Sequence, residues 1–310
     1  MSQKTKAVFY TLLAGALWGT SFPIIKIGLN EGTDPFAFLF WRFFVSTTTL
    51  LTFLLALRKL NFKDFKAANK KLIVLLGVAN AAGYLLQYAA MDYTTAAKAA
   101  LFINLSAMWV AILSPKLLDE KFSTQKILGV VIGLVGVVLV STNLDFSELG
   151  GGQVLADLAL IVSGITWAIF MIYNKKLISA SAATSTSATF QSMIWVLLFT
   201  FLSIAPFAVL AGSSFFALSG FAWFGVFWTA IVCWVIPYYL WLEGLKHLSA
   251  STSTILLLSE IVIAVILTIV VLKEPVTVFS SIGAFFIVIA IALVSVQDKR
   301  EVKSPSNEVG

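Results

Sequence analysis

Two charged residues stand inside apolar runs where charge is costly. Arg42 lies about eight residues into the run 35–57, roughly 12 Å along a helix at 1.5 Å per residue. Glu260 lies about ten residues into the run 250–272, roughly 15 Å along it. A charge near the centre of a bilayer costs at least about 2.5–3.5 kcal/mol on insertion scales, so both are expected to face a bundle interior or water. Arg42 could hold the carboxylate of a solute, or be neutralised structurally by an acid or by helix-end carbonyls. Glu260 could carry a coupling proton, bind a solute amine, or pair with Arg42.

Amides and aromatic rings supply the rest of a candidate lining. Asn80, Tyr84 and either Gln87 or Tyr88 fall on one helical face by their spacing. A matching stretch later in the chain offers Trp234, Tyr238, Tyr239 and Trp241. Trp18 and Trp167 are a further matched pair. A mid-depth cavity of Trp and Tyr with a few amides suits an amphipathic solute of amino-acid size. The competing use of Trp and Tyr is as interfacial belts, which stays open for Trp41, Trp109 and Trp223. The expected binding set is Trp18, Arg42, Asn80, Tyr84, Gln87, Tyr88, Trp167, Trp234, Tyr238 and Glu260, with Glu260 the coupling candidate. Lys26 and Lys98 lie near span ends, where they are expected to snorkel to the interface. Asp92 and Asp157 are expected at the outer surface.

Catalytic chemistry has little to stand on. The chain has one His, His247, and one Cys, Cys233. It has no His-Glu-x-x-His, no phosphate-binding glycine loop with Lys, and no paired Asp motif for Mg²⁺. An enzyme is therefore not expected, nor a cofactor or metal. A receptor or scaffold gains no support from the repeats described below. One cysteine excludes an intramolecular disulfide. The sequon Asn104-Leu105-Ser106 falls inside an apolar run and is set aside as a glycosylation site.

These residues must be positioned by membrane-spanning helices. The 310 residues are 59% hydrophobic and 12% charged, against about 25% charged in a soluble protein. Apolar runs of about 20 residues read as spans. They fall at 7–29, 35–57, 72–91, 95–117, 125–142, 155–176, 185–211, 220–245, 250–272 and 277–296. The expected fold is an all-α membrane protein of ten transmembrane helices. Of the 21 Lys and Arg residues, all but Lys26, Arg42, Lys98 and Lys273 collect on one side if the N-terminus is inside. The positive-inside bias then places both termini in the cytoplasm of a multi-pass cell-membrane protein. The net charge of +6 thus reads as a topology signal, and no nucleic-acid partner is expected. Partners are a small-molecule substrate and the bilayer. The Gly15-x-x-x-Gly19 and Gly129-x-x-x-Gly133 pairs read as packing within a monomer. Pro23 and Pro237 are expected to bend their spans.

The chain also repeats itself. Gly15, Trp18 and Lys26 recur as Gly164, Trp167 and Lys175 at one constant offset, and Tyr84, Glu120 and Gly129 recur as Tyr238, Glu274 and Gly283 at a slightly longer one. Five spans per half would invert the second half, an arrangement used by secondary transporters. The expected units are 7–142 and 155–296, joined by a linker at 143–154 around the glycine run 150–152. A polar, disordered cytoplasmic tail follows at 297–310. Ser123 and Thr277 read as helix caps after the Glu turns.

The pattern Gly15, Trp18, Gly19, Phe22, Pro23, then Pro35 and Arg42, then the Glu turns followed by Gly in both halves, resembles the drug/metabolite transporter superfamily with two EamA-type repeats. Leu256 and Glu260 resemble its ninth span. The likeness covers about residues 7 to 296. It implies a carrier of small metabolites, often amino acids on their way out, working by alternating access. The proline usual in the fourth and ninth spans of that family is replaced by Ala107 and Ile261, which puts a kink there in question.

Overall fold

The computed structural model describes residues 2–293 except 61–68, 95, 119–123, 143, 145–153, 181–185, 274–276, 280, 284, 287 and 291–292. The glycine run, the turns with Glu120, Ser123 and Glu274, and the tail 297–310 lie outside the described residues, as do the side chains of Lys98 and Asp157. Among the described residues every regular element is helical. The helices are α1 (Gln3–Gly19), α2 (Ser21–Asn30), α3 (Pro35–Ala56), α4 (Lys70–Met91), α5 (Ala96–Asn104), α6 (Ser106–Leu118) and α7 (Thr124–Thr142). The second part holds α8 (Val154–Ala180), α9 (Thr186–Ile204), α10 (Gly220–Ala230), α11 (Ile236–Leu245), α12 (Ala250–Leu257) and α13 (Ser259–Leu272). A 3₁₀ stretch, Ala205–Phe216, follows α9, and a π-helical turn, Ile231–Val235, joins α10 to α11.

Seven segments are long and apolar enough to cross a bilayer: Gln3–Asn30, Pro35–Ala56, Lys70–Met91, Leu158–Ser179, Thr189–Gly212, Gly220–Leu245 and Ala250–Leu272. The expected span 95–117 corresponds to the pair α5 and α6. Shorter apolar helices at Ile127–Gly136 and Ser281–Ala290 fall in the expected fifth and tenth spans.

Local chemistry sets the helix starts. Asp34 accepts from the N–H groups of Phe36 and Ala37 at 2.8 and 3.0 Å, with Pro35 opening α3. Ser2, Asn69, Ser219 and Ser249 cap α1, α4, α10 and α12 in the same way. Inside the apolar body, threonines return their hydroxyls to the carbonyl four residues back, as Thr11 does to Ala7, Thr200 to Val196 and Thr268 to Ala264. A polar group withdrawn from water is thereby satisfied within its own helix.

Helix ends use the two matched lysines. Lys26 Nζ donates to the carbonyl of Met91, the last residue of α4, at 3.0 Å. Lys175 Nζ donates to the carbonyls of Leu245, the last residue of α11, and Leu248, both at 2.8 Å. Each cation meets carbonyls that helix ends leave unpaired. Lys26 is thus a cap on a neighbouring helix, where snorkelling was expected.

Three interruptions shape the interior. The first lies at Thr20, between α1 and α2, three residues before Pro23. Pro23 has no N–H for the Gly19 carbonyl, which accounts for the bend. The other two lie at Leu105, between α5 and α6, and at Leu258, between α12 and α13. Both occur close to Ala107 and Ile261, so the missing prolines do not prevent a kink. What the two places share is a glycine packed against them. A Cβ on Gly164 would lie 3.0 Å from the Phe102 carbonyl and 3.2 Å from that of Ile103. One on Gly15 would collide with Ser259 Oγ, and one on Gly19 with the Glu260 carbonyl. These glycines pack within the chain, as their spacing suggested. The closest helix neighbours follow the same doubling: α1 lies along α11 and α13, and α8 lies along α4 and α6.

Candidate functional site

The interruptions converge on one cavity. Its hollow takes in about 550 Å³ of empty space, open solvent at the mouth included. The centre of a water molecule reaches only about 40 Å³ of it, room for roughly three waters. The first part of the chain contributes Trp18, Ser21 and Phe22 from around the first bend, Arg42 from α3, and Tyr84 and Gln87 from α4. It also contributes Ile103, Asn104 and Ser106 from around Leu105. The second part contributes Trp167, Phe170 and Met171 from α8, Trp241 from α11 and Glu260 from α13.

Arg42 is 1% exposed. Its Nη1 donates to Tyr88 Oη at 2.8 Å, and its Nη2 to Tyr84 Oη at 3.2 Å and to the Cys233 carbonyl at 3.5 Å. The guanidinium carbon also sits 4.5 Å from the centre of the Tyr84 ring, a cation–π contact. The Cys233 carbonyl is available because Pro237, four residues on, has no N–H to give it. The π-helical turn around Cys233 and the proline after it thus present a backbone acceptor to a buried cation. Ser46 completes the contact between α3 and this region, donating to the carbonyls of Arg42 and Ala230 at 2.9 and 3.1 Å, a shared bond. Among the described residues every partner of Arg42 is neutral, and its buried Nε has none.

Glu260 shares the cavity with Arg42 but does not pair with it. Among the described residues no hydrogen bond or ion pair reaches its carboxylate. Of the three roles open to Glu260, a direct bridge to Arg42 is not formed in this conformation. The bend at Thr20 is tied to the same region: the Trp228 indole N–H donates to Thr20 Oγ1 at 2.9 Å, and Thr20 Oγ1 lies 3.1 Å from Cys233 Sγ.

The ten expected binding residues divide by position. Trp18, Arg42, Tyr84, Gln87, Trp167 and Glu260 line the cavity. Tyr88 stands behind Arg42 as its hydrogen-bond partner. Asn80 is turned toward α9, where its Nδ2 donates to Thr200 Oγ1 at 3.0 Å. Tyr238 donates to Asn174 Oδ1 at 2.8 Å, and Trp234 packs on the rings of Phe43 and Tyr238. Tyr88, Asn80, Tyr238 and Trp234 therefore support the walls without forming them. Trp241 is a wall residue, anchored by a 2.8 Å bond from its indole N–H to Ser253 Oγ. Trp41, by contrast, sits in a separate aromatic cluster with Phe40, Phe44, Phe215 and Trp223.

Sequence reasoning did not place Ser21, Phe22, Ile103, Asn104, Ser106, Phe170 or Met171 in the binding set. An amide in the middle of an apolar run was the available signal for Asn104, since a polar side chain there must have a reason. Trp18 and Trp167 are half-buried, and their indole N–H groups are enclosed without a partner among the described residues.

Two segments of the chain, residues 5–142 and 154–296, match the model of the EamA-like transporter family. A protein of Archaeoglobus fulgidus named an uncharacterized transporter is 26% identical, over 94% of this chain and 98% of its own. Bacillus subtilis YetK, also named an uncharacterized transporter, is 27% identical, over 99% of this chain and 92% of its own. A solved crystal structure 17% identical superposes with a TM-score of 0.77, covering 97% of this chain and 99% of the other, a likeness of fold. With two matches that together take in most of its length, and with helices of membrane-spanning length around a shared cavity, this chain belongs to the EamA-like transporter family.

Proposed function

We propose that this membrane transporter is a secondary carrier that exports small metabolites such as amino acids. The observation that carries this reading is the meeting in one cavity, lined from both matched segments, of an Arg42 with no acid and a Glu260 with no partner among the described residues. An amino acid brings a carboxylate for the first and an ammonium for the second. In this reading the chain has ten spans, arranged as two inverted five-helix repeats at 7–142 and 155–296. It works as a monomer in the cell membrane, with both termini in the cytoplasm. The interior of the cavity is too narrow for an amino acid as it stands, so a solute enters only when the walls part. Rocking of one repeat against the other, bending at the interruptions, would expose the cavity to each side in turn. Glu260 carries a coupling proton when the solute is absent.

Flux in proteoliposomes tests this. Amino acids loaded inside should exchange or leave under an imposed gradient. Lack of flux for any metabolite under any gradient would sink the carrier reading. A second reading, export of drugs or other amphipathic solutes, is favoured by the apolar breadth of the wall: Trp18, Phe22, Trp167, Phe170 and Trp241. Transport of hydrophobic cations in place of amino acids would select it.

A further inference from the structure

The cavity also carries polar side chains without charge. Asn104 is 6% exposed, and its Nδ2 donates to the Ala100 carbonyl at 2.8 Å. That bond fixes the amide plane, while its Oδ1 has no partner among the described residues. Ser106, 3% exposed, has no side-chain hydrogen bond among the described residues either. Gln87 is 4% exposed, and among the described residues its one side-chain hydrogen bond is weak, Nε2 to Met91 Sδ at 3.7 Å. All three line the cavity that holds Arg42 and Glu260.

Asn104 Oδ1, Ser106 Oγ and the Gln87 amide are not among the fully enclosed unpaired polar atoms, so they reach the cavity space, where a ligand can meet them. Three such groups lining one cavity favour a solute whose own polar group complements them. An acceptor amide oxygen fixed in orientation, next to a hydroxyl that can donate or accept, matches a group that itself donates and accepts. A hydroxyl or a carboxamide meets that description. A methyl group does not, and a full charge is already served at Arg42 and Glu260. The site is built on the Leu105 interruption, which Gly164 holds by close packing, so the wall is rigid enough to discriminate.

We infer that Asn104, Ser106 and Gln87 form an uncharged subsite that selects solutes carrying a side-chain hydroxyl or carboxamide. This rests on the reading of the cavity as an amino-acid site and narrows its substrates to small polar amino acids. A site built to hydrogen-bond its ligand discriminates strongly against the analogue that lacks the bond, because its own groups are then left unpaired.

The test uses matched pairs and the purified full chain. Binding of serine against alanine, and of asparagine against its near-isostere leucine, is read from the fluorescence of the cavity tryptophans. Uptake of the same four solutes into proteoliposomes is measured beside it. The wild type should favour the polar member of each pair by about tenfold or more. Ser106→Ala and Asn104→Leu should each bring that preference toward one, whereas Ser106→Thr should keep it. Ser106→Ala is a small change, so the test does not depend on Asn104→Leu folding. A preference unchanged in Ser106→Ala, or a wild type that favours the apolar members, overturns the subsite alone. No binding and no flux for any of the four overturns it together with the amino-acid reading.

Discussion

Replacing Arg42 by Gln removes one positive charge from the cavity and keeps a polar side chain in place. In the wild type the guanidinium is held by two tyrosine hydroxyls and one carbonyl, all neutral, so its charge stays available to an anionic solute. A hydrogen bond to a charged group contributes about 1.5–3 kcal/mol. At 1.4 kcal/mol per factor of ten, loss of one such bond to a solute carboxylate weakens binding by roughly 10- to 150-fold. The fold should tolerate the change. No buried acid is left unpaired by it, and removing a charge from a bilayer interior relieves a cost of at least about 2.5 kcal/mol, which offsets the lost bonds to Tyr84, Tyr88 and Cys233. Arg42→Gln should therefore run as a monodisperse protein with a melting temperature near that of the wild type. It should lose uptake of amino acids and also lose the preference for an amino acid over its α-carboxamide. Arg42→Lys restores the charge without the planar fork that reaches three acceptors, and should recover only part of the affinity. Retained uptake with unchanged preference, or a large fall in melting temperature, would refute the reasoning and make Arg42 a structural residue.

Other perturbations separate the site from its frame. Glu260→Gln should abolish dependence of flux on an imposed pH gradient, since an amide does not titrate; undiminished dependence places coupling elsewhere. Gly19→Ala should destabilise by about 1–3 kcal/mol of overpacking, because its Cβ meets the Glu260 backbone carbonyl, and Gly220→Ala, with open space around it, should be nearly silent by thermal melting. Lys175→Met should lower the melting temperature more than Lys26→Met, as it uncaps two carbonyls where Lys26 caps one; equal effects would argue against capping as their role.

The span positions were legible because a bilayer demands long apolar runs, and seven of them stand at that length in the structure. Arg42 and Glu260 were legible because charge at depth is rare. Their separation was not, since whether two helices bring a cation and an acid into contact depends on packing that one sequence does not encode locally. Tyr84 and Tyr88 could be placed on one face of α4 from their spacing, but not that the face meets Arg42. The kinks at Leu105 and Leu258 were illegible for a similar reason. Without proline the signal lies on other helices, in Gly164, Gly15 and Gly19. Asn104 was hidden by a competing motif, a sequon that burial makes irrelevant.

The doubling of the chain divides frame from chemistry. Residues kept in both halves do matched work: Lys26 and Lys175 cap the ends of α4 and α11, Trp18 and Trp167 both line the cavity, and Gly15 and Gly164 each seat against an interruption. Residues that differ do not. The position matched to Arg42 is Gln191, whose amide donates to the Lys59 carbonyl beyond the end of α3, outside the cavity. The position matched to Glu260 is Ser106, inside it. One cavity therefore receives a cation from the first half only and an acid from the second half only, with a neutral hydroxyl where symmetry would have put a second acid. On the carrier reading proposed above, the solute is expected to be asymmetric, with different groups at its ends, and a twofold-symmetric ion should be transported poorly in the same flux assay.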